Sequence, residues 1–213
     1  MAHDWNTLFW AESVELADLY DAISDSDFDH DSLCTGWQVR DVAGHMLFGH
    51  TTPMPQMIGF LLKHRFNVPK GSFEGSKAYG QNHTPAQLRA TWRDVATNHT
   101  TKGITKVISR KEGFTDHLIH GQDIRRPLGL RRDIPPDRAV AALDALPTIG
   151  GFLASKKRMA GLSWKATDID WSWGNGPLVS GPAEALILAA AGRPAALPEL
   201  SGDGAGELTR RIT

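Results

Sequence analysis

The chain places its most reactive side chains together. From Phe114 to Gly129 it reads Phe-Thr-Asp-His-Leu-Ile-His-Gly-Gln-Asp-Ile-Arg-Arg-Pro-Leu-Gly. Read as a helix entering from Gly113 and ending near Pro127, this stretch puts Asp116 and His120 four residues apart on one face, with Cβ atoms roughly 5–6 Å apart. A carboxylate and an imidazole at that spacing close on a single ion, as two ligands do in helical zinc sites. Asp123, one turn on, can accept a proton from a neighbouring imidazole and fix its tautomer. Two ligands do not complete a site, and His45 is the candidate third. It follows Thr35-Gly-Trp-Gln38, which reads as a capping box, and borders an apolar stripe of Val39, Val42 and Met46. An Asp-x3-His pair is also a common surface ion pair, and a lone helical histidine is commonly just hydrogen-bonded. Spacing leaves both readings open.

The two stretches resemble those of the mycothiol-dependent maleylpyruvate isomerase family, a branch of the DinB-like four-helix metalloproteins. Its first signature, a Cys, a Gly-Trp, then Val-Arg-Asp-Val and a His, stands here as Cys34, Gly36-Trp37, Val39-Arg40-Asp41-Val42 and His45. The second, an acidic residue, three residues, His, then Asp and Pro-Leu-Gly, stands as Asp116, His120, Asp123 and Pro127-Leu128-Gly129. The resemblance implies that His45, Asp116 and His120 are metal ligands. The isomerase carries Glu where Asp116 stands, so a looser ion or substitution by His117 is implied as well. The family also has a Gly-Arg in its C-terminal domain, here Gly192-Arg193, whose arginine serves the active site. An arginine binds a carboxylate by two parallel hydrogen bonds. Arg193 is therefore expected to be catalytic, and Arg125 and Arg126 to bind the cofactor. For Arg193 a helix-end role, bonding the last carbonyls, is the equal alternative, and the same alternative holds for Arg125 and Arg126.

Composition narrows the class. The 213 residues are 41% hydrophobic, with 23 basic and 24 acidic side chains and a formal charge of −1. That balance argues against a general nucleic-acid binder. One cysteine excludes a disulfide framework and suits a reducing compartment. The start, Met-Ala-His-Asp-Trp, has no basic or apolar run of a signal peptide, and no stretch approaches the roughly 18 apolar residues of a membrane span. The expectation is a cytoplasmic monomer or homodimer.

The elements follow from pattern. A helix over 4–24 with Asp4 as N-cap, the helix from Trp37, a helix opened by the capping box Thr84–Gln87, and the ligand helix make an up-down four-helix bundle. Residues 68–72 read as a loop, and 99–111 as a polar lead-in. Near Leu162 the period changes to alternation, and 170–180 reads as a hairpin. A helix from Gly181 and a short final helix follow. The expected fold is therefore mainly α, with a DinB-like bundle over 1–160 and a small α+β cap over 161–213. Cys34 reads either as a small residue packing the turn or as a thiol activated at a helix start. Asp41, one turn before His45, is the candidate to hold that ring. The functional expectation is an isomerase or S-transferase that uses a divalent metal, zinc by ligand type, and mycothiol as thiol cosubstrate to attack a small electrophile. The alternative is a non-catalytic metal-binding or thiol-sensing module, closed by a fourth ligand such as His117.

Overall fold

The computed structural model describes residues 3–65, 67–131, 133–150 and 153–213. They divide into two compact units: residues 4–131, and residues from 132 onward with His3. The fold is mainly α with a small sheet, as expected. Among the described residues no helix is long and apolar enough to cross a membrane.

The first unit is built on α1 (Trp5–Ala22), α2 (Val39–Thr51), α5 (Pro85–Asn98) and α6 (Arg110–Arg125), with α3 (Met54–Lys63) and α4 (Val68–Gln81) between α2 and α5. Asp4 caps α1 through the amides of Asn6 and Thr7, and the Thr84/Gln87 box opens α5, both as expected. The core is large and aromatic: Phe9, Tyr20, Phe28, Trp92 and Phe114 are almost wholly buried. Trp92 satisfies its indole N–H on the Ser13 carbonyl at 3.0 Å.

Three local readings are corrected. Residues 68–72 begin α4, because the Asn67 side chain accepts from the Lys70 amide and Pro69 sits in the first turn, where its missing N–H costs nothing. The ligand helix starts at Arg110, earlier than Gly113, because Ser109 and Glu112 form a capping box. The residue before α2 that takes part in a capping box is Gln38, whose amide donates to Asp41 Oδ2 at 3.0 Å, so the box lies three residues later than Thr35–Gln38.

α4 lies unusually close to α2. A Cβ on Gly80 would stand 2.3 Å from the Arg40 carbonyl oxygen, and one on Gly44 would stand 2.4 Å from that of Ser76. Only glycine at both positions permits this crossing.

The second unit holds α7 (Pro136–Ala145), α8 (Ser155–Met159), three short strands, α9 (Ala183–Ala190) and α10 (Ala205–Ile212). The strands β1 (Ser163–Ala166), β2 (Ser172–Trp173) and β3 (Leu178–Gly181) lie in the order β2-β1-β3. β1 is antiparallel to β2 and parallel to β3, so 170–180 is not a hairpin: the two later strands take opposite edges of β1. The unit begins earlier than the expected boundary at 160/161. The reason is that α7 packs against α9, which is apolar but for Glu184. Asp144 ties the unit further, accepting from Trp171 Nε1 at 2.8 Å and lying 2.9 Å from His3 Nε2.

Candidate metal centre

α2 and α6 bring His45, Asp116 and His120 together, with one ligand atom of each within 4.8 Å of the others. The two imidazole rings meet edge to face, centroids 5.1 Å apart. His120 Nε2 lies 3.4 Å from Asp116 Oδ1. The i,i+4 step on α6 thus does what the sequence spacing implied.

Hydrogen bonds on the far side of each ring decide which nitrogen is available. The Ser76 hydroxyl donates to the Ser72 carbonyl at 2.6 Å, so toward His45 Nδ1, 3.2 Å away, it can only accept. His45 therefore carries its proton on Nδ1 and leaves Nε2 as a lone pair. His120 Nδ1 donates to Asp123 Oδ2 at 2.9 Å, and the Cys34 thiol donates to the same oxygen at 3.1 Å. Both rings are thus held by an acceptor on Nδ1, the arrangement that orients histidine ligands. Two imidazole nitrogens and a carboxylate oxygen are the set zinc takes at three-ligand sites. A divalent ion fits these residues.

The charges match. Burial pushes His120 down, but Asp116, Asp123 and Cys34 outweigh it and hold the imidazole well above its ordinary value. Desolvation pushes Asp116 up, and the imidazoles of His120, His45 and His117 hold it below the usual carboxylate range. Asp116 keeps 44% of its side-chain surface exposed, against 9% for His120, so the open side of the site is the carboxylate side.

His117 faces the other way, into the core. Its Nε2 lies 3.1 Å from His50 Nε2, its Nδ1 3.2 Å from the Ser13 hydroxyl, and its ring stacks on Phe9. His50 Nδ1 reaches the Thr100 carbonyl at 3.2 Å. The Ser13 hydroxyl donates to the Phe9 carbonyl at 2.9 Å, and His50 Nδ1 donates to the Thr100 carbonyl. Burial pushes His50 down to about 4 and His117 well below its ordinary value. Above pH about 6.5 these rings are neutral folded or unfolded, and contribute no pH dependence. As pH falls from there toward 4, the unfolded chain takes up protons that the native state refuses, so stability falls. His50 alone accounts for about 3 kcal/mol by pH 4. Urea unfolding of metal-free protein at pH 7 and 4.5 should show this loss, and His50→Gln should reduce it. An equal loss in the variant would refute the assignment.

The three arginines have backbone partners. Arg125 is buried, turned to α1, where Nη2 donates to the Glu15 carbonyl at 3.4 Å and the guanidinium borders Gly121. Arg126 is the half-buried C-cap residue of α6, its amide donating to Gln122. Arg193 lies in the second unit, where Nη1 donates to the Ala191 carbonyl at 2.9 Å, as the helix-end alternative describes. Asp41 is not the partner of His45: it accepts from the Gln38 amide and lies 3.8 Å from Lys77 Nζ. Ser76 holds His45 instead, and sequence reasoning missed it because it sits on a helix whose start was read as a loop. The Asn67 cap and Pro69 were the available signals.

Residues 9–102 match the family described as the mycothiol maleylpyruvate isomerase N-terminal domain. No curated protein matches the chain. Two solved structures are similar: the crystal structure of the mycothiol-dependent maleylpyruvate isomerase (TM-score 0.61) and that of a histidine-to-alanine mutant of it (TM-score 0.58). Each is 18% identical, with 95% of this chain and 92% of that chain covered. The match spans the first of the two signatures, as the resemblance implied, and at this identity the structural likeness establishes the fold.

Proposed function

From the premise that residues 9–102 form an N-terminal domain of the mycothiol maleylpyruvate isomerase kind, we propose a divalent-metal-dependent enzyme using a mycothiol-type thiol on a small electrophile, by isomerisation or S-transfer. The observation that carries the reading is the convergence of His45, Asp116 and His120 with Nε2 of His45 left as a lone pair. These three residues would hold the ion, zinc by donor type. When bound, such an ion acidifies a thiol placed against it. The protein's own contribution is orientation: Ser76 fixes the His45 tautomer, Asp123 fixes that of His120, and Cys34 orients Asp123. The reading of a closed, non-catalytic module loses support from His117, whose two nitrogens are engaged in the core. Arg193 remains the proposed holder of an anionic group of the thiol or its partner, on the strength of the Gly192-Arg193 resemblance.

Metal analysis of the purified protein comes first. Cobalt-substituted protein titrated with mycothiol should then develop a sulfur-to-metal charge-transfer band. Arg193→Ala should need roughly tenfold more thiol, the loss of about 1.4 kcal/mol. If no band forms at any thiol concentration, the thiol-enzyme reading fails and the binding module replaces it.

A further inference from the structure

A row of rings runs from the site to the surface. His120 and His45 have centroids 5.1 Å apart, His45 and Trp37 5.2 Å, and Trp37 and Phe73 5.9 Å. Exposure rises along it, from 7% at His120 to 40% at Phe73. Trp37 comes from the turn before α2 and Phe73 from α4, so two separate elements build the outer half. Gly36 gives the turn its left-handed backbone, at φ +76°, and lies within ordinary contact of the Phe73 ring. Lys77 closes the edge, its ammonium 2.9 Å from the Gly36 carbonyl oxygen and 5.3 Å from the Phe73 ring centroid.

We infer that Trp37 and Phe73 form a saccharide subsite that takes the sugar portion of the thiol cosubstrate. The inference rests on the thiol reading above and names how the thiol is recognised. Aromatic faces carry negative charge density and attract the positive edges of C–H bonds. A sugar ring has one C–H face and a rim of hydroxyls. The half-exposed rings supply the surface for the first, and Lys77 with the Gly36 carbonyl supplies a donor and an acceptor for the second. An alkyl chain would have no use for that polar edge. His45 belongs both to the metal group and to the ring row, so a ligand with its sulfur at the site meets Trp37 next.

The test compares mycothiol with N-acetylcysteine, which keeps the thiol arm and lacks the sugar, on cobalt-substituted protein. Wild type should bind mycothiol at least about tenfold more tightly. Phe73→Ala, at an exposed position that spares the core, should remove most of that preference and leave N-acetylcysteine affinity unchanged. Trp37→Leu should do the same, with a thermal melt to confirm folding. Equal affinity for the two thiols in wild type, or equal weakening of both in Phe73→Ala, would overturn the subsite. A second arm needs neither metal nor sulfur: glucosaminyl-inositol is titrated into metal-free protein while the Trp37 indole N–H is followed by NMR. A saturable shift, lost in Phe73→Ala, supports the subsite even if no thiol band ever forms, in which case the thiol reading alone falls. No shift, together with no thiol preference, rejects it.

Discussion

His45→Ala is expected to purify folded and without metal. His45 is the one member of the group on α2; Asp116 and His120 are neighbours on α6. Removing it leaves a two-ligand pair on a single helix and takes away the tie across the bundle. The apolar stripe of α2, with Val39, Val42 and Leu47 wholly buried, does not include this ring, so the fold survives. The signature lies in the response to a chelator. An ion that binds only the native state stabilises it by about 2.7 kcal/mol at a hundredfold excess over Kd. At this chain length each kcal/mol moves the melting temperature by about 2–4 °C. Wild type should lose that increment on chelation, and His45→Ala should lose nothing further. If the variant retains stoichiometric metal, the site lies elsewhere.

Gly80→Ala should damage both stability and the site. The added methyl would meet the Arg40 carbonyl oxygen at 2.3 Å and its carbon at 2.9 Å, and backbone cannot step aside as a flexible side chain can. α2 and α4 must separate, at about 1–3 kcal/mol or more. The separation also draws Ser76 away from His45 Nδ1, so metal affinity should fall with the melting temperature. Gly59→Ala is the control. It also sits inside a helix, but a Cβ there meets nothing within 4 Å, so it should stabilise by about 0.5–1 kcal/mol. A Gly80→Ala protein that melts like wild type would show that the two helices are not locked as described.

The ligand group was legible because its physics is local. Asp116 and His120 sit one helical turn apart, and the helix alone guarantees that they meet. His45 needed the family signature, since no local rule says which helix faces α6. What sequence could not supply was the far side of the His45 ring, whereas Asp123 behind His120 was again one turn away on the same helix. Ser76 reaches His45 only because two glycines let α4 approach α2, a fact about tertiary packing. Charge in a motif likewise says nothing of direction: the Arg125 guanidinium turns to α1. The 170–180 segment misled because strand pattern gives alternation but not partners, and both strands chose β1 over each other.

If the proposed ion binds, the hydroxyl of Ser76 makes metal loading and the docking of α4 a single linked equilibrium. The ring it holds belongs to α2, while the atom that holds it belongs to α4 and is itself anchored one turn back at Ser72. Whatever α4 docking adds to metal affinity, metal must return to α4 docking in equal measure, since coupling between binding free energies is reciprocal. A loaded site therefore damps the opening of α4, and amide protons on that helix become slower to exchange when the ion is present. The helix that carries no ligand of its own would then be the one whose motion most closely reports whether the site is filled.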